Sequence, residues 1–126
     1  MTADLTTRIR CADPEQRKPR RRDTRTRLGR MRSVGDAVSC LESTLPSRAR
    51  LVVLTLALVA FEREDADLAR LARYTSMTRR TVRKYLRLLE GACGAEPRAF
   101  VRSVVDGARP VADWFCALER NGGRHG

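Results

Sequence analysis

The sequence predicts an all-α protein: a three-helix core, an extra helix before it, a helix pair after it, and a disordered basic arm in front. Three observations carry this. From residue 33 onward, apolar residues recur at i, i+3 and i+4, the spacing of helices with one packed face. Midway, Leu51–Phe61 (LVVLTLALVAF) is apolar on every side, which suits a buried central helix. Its eleven residues fall short of the about twenty needed to span a membrane. Residues 1–32 carry eleven basic and four acidic side chains with little apolar content, too little to fold.

The arm is densest at Arg17-Lys18-Pro19-Arg20-Arg21-Arg22, followed by Arg25, Arg27, Arg30 and Arg32. The chain as a whole has 26 basic and 15 acidic residues, a net charge of +11, and only Lys18 and Lys84 are lysines. Arginine presents a planar fork that fits phosphate and guanine edges in bidentate fashion. A polyanionic partner follows, with Arg20, Arg21, Arg22, Arg25 and Arg27 as candidates for contact along a DNA backbone. A solubilising tail, or a nuclear-import signal in a eukaryotic host, has the same composition.

After the arm, Val34, Val38, Leu41 and Leu45 define the extra N-terminal helix, which Pro46 stops. Ser47 is placed to cap the central helix, expected over 47–63. Glu62, Glu64, Asp65 and Asp67 then turn the corner, their charge suited to the positive start of the next helix. That helix is short: Leu68, Leu71 and Ala72 give its packed face. Thr75, Ser76 and Met77 break the pattern, with Met77 as an apolar plug.

The following helix, expected over 78–90 with Thr78 as N-cap, is the most informative stretch. At about 100° per residue, Arg79, Arg80, Arg83, Lys84 and Arg87 share one half of its circumference. Val82, Tyr85, Leu86 and Leu89 occupy the other. A helix so divided rests its apolar side on a core and turns a purely cationic side outward.

Residues Leu71-Ala72-Arg73-Tyr74-Thr75-Ser76-Met77-Thr78-Arg79-Arg80-Thr81-Val82 resemble the helix-turn-helix core of bacterial and phage DNA-binding regulators. Many of these read L-A-x-x-x-G-hydrophobic-S-x-x-T-V. The resemblance covers about 25 of the 126 residues. It implies that the helix over 78–90 is a recognition helix lying in the DNA major groove. Thr78, Arg79, Arg80, Thr81, Arg83, Lys84 and Arg87 would then be its DNA-binding residues. Ser76 stands where the family usually has Gly. That position often takes positive φ, which costs a residue with a Cβ more. Either the turn differs here, or Ser76 adopts that conformation.

Beyond Gly91, Pro97 suits the first turn of a helix carrying Phe100, Val101, Val104, Val105 and Ala108, with Gly107 near its end. Val111, Trp114, Phe115 and Leu118 repeat the pattern in a last helix. The alternative is a β-wing, with Arg98–Val105 as a strand and Asp106-Gly107 as a turn. The helix pair, which holds the only Trp, is expected either to complete the core or to form a homodimer.

No catalytic constellation is assigned. The acids are scattered, His125 is the only histidine, and Cys11, Cys40, Cys93 and Cys116 form no C-x-x-C pair. No metal or cofactor is expected, and the thiols are read as reduced and structural, with no signal peptide recognised. The organisation expected is therefore an arm over 1–32, a helix-turn-helix core over 33–91 and a C-terminal extension over 92–126. The function expected is sequence-specific binding of double-stranded DNA in transcription regulation, in the cytoplasm with the nucleoid, or in the nucleus of a eukaryotic host. A helix-turn-helix module for protein interaction or replication-origin binding within a larger assembly is the alternative.

Overall fold

The computed structural model describes residues 24–121, which form six α-helices and no strand. These are α1 (Arg27–Ser39), α2 (Ser47–Phe61), α3 (Leu68–Thr75), α4 (Arg79–Cys93), α5 (Pro97–Val105) and α6 (Val111–Asn121). The C-terminal segment is thus helical and forms no wing. None of these helices is long and apolar enough to cross a membrane.

α2 lies at the centre and packs against α1, α3, α4 and α5. α6 closes the other side, against α4, α1 and α5. One hydrophobic core runs through all six helices. It includes Val34, Leu41, Val52, Val59, Leu71, Val82, Leu89, Val101, Val104, Trp114 and Leu118, each at most 1% exposed. α5 and α6 therefore share this core, and the tryptophan read as a possible dimer contact is buried within it. Asn121 Nδ2 donates to Ala92 O at 3.0 Å, tying the end of α6 to the end of α4.

Several boundaries move from their expected places. α1 starts at Arg27, six residues before Ser33, with Thr26 as N-cap accepting from Gly29 N at 2.9 Å. It ends at Ser39. Leu41 and Leu45 stay buried, but in turns bridged by short-range bonds such as Leu41 N to Val38 O at 2.9 Å. The N-cap of α2 is Pro46, with Ser47 already inside the helix and no side-chain cap. Thr75 belongs to α3 as its buried last residue, its hydroxyl donating to Leu71 O at 2.7 Å. α4 runs on to Cys93, where Gly94 at φ 72° ends it.

α2 also departs from its expected all-round burial. Leu51, Leu54 and Leu58 are each 40–41% exposed and form one stripe along its outer side. Beside them, Tyr74 of α3 is 41% exposed, and together with Thr55 these residues line a shallow hollow of about 410 Å³. Four neighbouring helices do not suffice to cover a helix that is apolar all round.

The arginines at the start of α1 belong to the fold. The Arg27 guanidinium donates to Ala60 O and to Phe61 O, the last carbonyls of α2, and pairs with Asp106 just after α5. Arg30 Nε donates to Val105 O, the last carbonyl of α5, at 2.6 Å. Helix C-termini present unpaired carbonyls and a partial negative charge, so a guanidinium there satisfies both. Arg30 also crosses Gly107, at φ +89°, where a Cβ would come within 3.1 Å of its guanidinium carbon. Arg27, read from the sequence as an arm residue, is thus a clamp between α1, α2 and α5. Arg20, Arg21 and Arg22 lie outside the described residues, and Arg25 is exposed just before α1.

Arginines fix the corner between α2 and α3 as well. Arg63 (φ 61°) ends α2 in the left-handed region, its N–H bonding Ala60 O while Glu64 N–H bonds Val59 O, a Schellman closure. Arg102 Nη2 reaches Glu64 O at 2.6 Å and Arg70 Nη1 reaches Asp65 O at 2.8 Å. The Tyr74 hydroxyl donates to Glu64 at 3.0 Å, and Asp67 caps α3 by accepting from Arg70 N at 2.7 Å.

Candidate nucleic-acid interface

α4 owes its position to its apolar side. Val82, Leu86, Leu89 and Ala92 are buried and Tyr85 is half-buried, so the helix is held by α2, α3, α5 and α6. Its other side follows from that. Arg79, Arg80, Arg83, Lys84 and Arg87 are all exposed, as the angular arithmetic requires. None forms an ion pair among the described residues, where the pairs are Arg27–Asp106, Arg70–Glu64 and Arg98–Glu96. The Lys84 ammonium lies 5.4 Å from the centre of the Tyr85 ring, a cation–π contact that brings no opposite charge.

Thr78 and Thr81 have a different role from these cations. The Thr78 hydroxyl accepts from Thr81 N at 3.1 Å and donates to the Thr81 hydroxyl at 2.9 Å. This closed pair begins the helix and fixes where Arg79 and Arg80 leave the backbone. The turn before it is Ser76-Met77-Thr78. Ser76 takes φ 59°, ψ 32° and donates its N–H to Ala72 O, so of the two possibilities it is the serine that adopts the left-handed conformation. Met77 is half-buried against the core, as the plug expected of it.

Folding brings two further cations near this start, neither selected from the sequence. Arg48, at the exposed beginning of α2, lines a hollow of about 270 Å³ with Leu51, Thr75, Ser76, Met77, Thr78 and Thr81. Arg73, on α3, is exposed beside the turn, its guanidinium 5.7 Å from the Tyr74 ring centre. Arg73 sits in the quoted motif and was legible there. Arg48 is separated from the turn by most of α2 and α3, and no local signal marks it.

The surface so assembled is a ridge of positive charge on a rigid helix. Planar guanidinium forks there can meet phosphate oxygens or the acceptor pair on a guanine edge. Among the described residues no three His, Cys, Asp or Glu side chains gather to hold a metal. Burial pushes the Cys93 thiol up to about 11, so near neutral pH it stays protonated and inert. Comparison of the chain with protein-family models, with curated proteins and with solved structures gave no match.

Proposed function

We propose that this chain is a sequence-specific, double-stranded DNA-binding protein that regulates transcription, with α3 and α4 acting as a helix-turn-helix. In this reading α4 enters the major groove. Arg79, Arg80, Arg83, Lys84 and Arg87 share the work of base and phosphate contact, while Thr78 and Thr81 set the start of the helix. One observation carries the reading: five exposed cations stand on one face of α4 without an acid partner among the described residues. Its opposite face is meanwhile locked into the core. A helix held rigid on one side and cationic on the other is what a groove lined by phosphates selects. In the same reading the protein binds and does not catalyse, and residues 1–23, with Arg20, Arg21 and Arg22, add contacts to the phosphate backbone.

The test is binding to duplex DNA across a range of salt, joined to selection of preferred sequences from random duplexes. Each phosphate neutralised is expected to contribute about −0.9 to the slope of log affinity against log salt. Removing residues 1–23 should flatten that slope and leave the preferred sequence unchanged. The truncation stops there because Arg27 and Arg30 hold the fold together. Absence of binding near physiological salt would overturn the proposal and leave the ridge to an acidic protein partner.

A further inference from the structure

We infer that the outer stripe of α2 is a self-association face, on which a second copy of this chain docks antiparallel about a two-fold axis near Thr55. The stripe is Leu51, Leu54 and Leu58 of α2, flanked by Tyr74, and all four are about two-fifths exposed. Exposed large apolar residues gathered in one place mark an interaction surface more often than scattered ones do.

Charge and spacing identify the occupant. Arg48, Leu51, Leu54, Leu58 and Glu62 follow one another at intervals of three and four residues, all of them exposed, as in the seam of a paired helix. Arg48 and Glu62 are exposed at opposite ends of that seam, and neither has an ion-pair partner among the described residues. Thr55 stands midway between them. Reversing a second copy about Thr55 sets Arg48 against Glu62 of that copy and Glu62 against its Arg48. The same operation brings Leu51 within one residue of Leu58 of the other copy, and the two Leu54 side chains within two residues of one another across the axis. A parallel arrangement would oppose arginine to arginine and glutamate to glutamate, so the charges select the antiparallel one. The Thr55 hydroxyl already donates to Leu51 O at 2.8 Å and brings no unsatisfied donor into the seam.

The stripe is smaller than the roughly 1,200 Å² of a stable interface, so the dimer is weak and concentration-dependent. Leu51 borders both this seam and the hollow at the start of α4. Self-association therefore holds two α4 N-termini on either side of one axis.

Sedimentation of the full chain without nucleic acid tests this independently of the DNA reading. The average mass should rise from one copy towards two with concentration. Leu54→Glu should keep the protein monomeric at every concentration, with helix content and Tm unchanged because the position is exposed. Arg48→Glu and Glu62→Arg should each raise the dissociation constant about tenfold, since each reverses both symmetric pairs. The double variant should restore most of the loss. A wild-type chain that stays monomeric would overturn the proposal, as would occupation of the stripe by residues 1–23 or another protein. A dimer indifferent to Leu54→Glu, or a double variant no better than the singles, would overturn it equally.

Discussion

The arginines at the start of α1 and those along α4 are the same residue in helices of the same protein, yet they are opposites. Arg27 and Arg30 end on carbonyls at the close of α2 and α5, and Arg27 also meets Asp106. Arg79, Arg80, Arg83 and Arg87 end in solvent without an acid among the described residues. A guanidinium becomes part of the fold when packing brings the carbonyls of a helix end within its reach. On α4 none of the five cationic side chains donates to a carbonyl among the described residues, and the charge stays available. Positive charge counted along a sequence therefore mixes two populations with different consequences, one for stability and one for recognition.

Val82 is fully buried on the inner side of α4, so Val82→Asp should cost roughly 3–5 kcal/mol or abolish folding. A variant with unchanged thermal unfolding would mean that the two faces of α4 have been exchanged. Next comes the clamp. Arg27→Ala removes charge-assisted bonds to two helix ends and should lower stability by roughly 2–3 kcal/mol in denaturant unfolding. Stability unchanged within error would put Arg27 back among the freely solvated cations.

The α4 cations should show the reverse pattern. Arg80→Ala and Arg83→Ala should each weaken specific duplex binding by about 1–3 kcal/mol where they reach bases, and leave unfolding within about 0.5 kcal/mol of wild type. Titrations on a selected duplex, paired with melting curves, separate the two effects; unchanged affinity in both variants removes α4 as the reader. The smallest effect is expected at the turn. Ser76→Gly relieves a left-handed residue with a Cβ and should raise stability by about 0.5–1 kcal/mol. A loss of stability on that change would show that the serine is favoured for something other than its backbone.

How much was legible depends on where the stabilising partners lie. The two faces of α4 were, because side-chain direction on a helix follows from position alone. Pro97 and Gly107 marked α5 for the same local reason. The start of α1 was not, because Arg27-Leu28-Gly29-Arg30 has no apolar rhythm and its anchors lie at Ala60, Phe61, Val105 and Asp106. Only Thr26, three residues before the Gly29 N–H that it caps, gave a local hint. The exposed leucines of α2 could not be foreseen either, since a run apolar on all sides does not reveal how many neighbours will surround it. Arg48 joins the α3–α4 turn through tertiary packing alone.

Among the described residues, the two non-glycine residues in the left-handed region stand on either side of α3: Arg63 before it and Ser76 after it. α4 and α5, in contrast, close on Gly94 and Gly107. α3 is also the shortest of the helices, and its buried residues are only Leu71 and Thr75. A short segment with a strained C-terminal end and little buried surface opens at lower free energy than the rest of a domain. Its amides are therefore the ones that should exchange with solvent earliest, while those of α2 and α4 remain protected. Such opening would loosen the support beneath the first turn of α4 and leave its C-terminal turns fixed by α6. The angle at which Arg79 and Arg80 are offered would then vary within a population of otherwise folded molecules, giving the ridge a small range of adjustment before any ligand is bound.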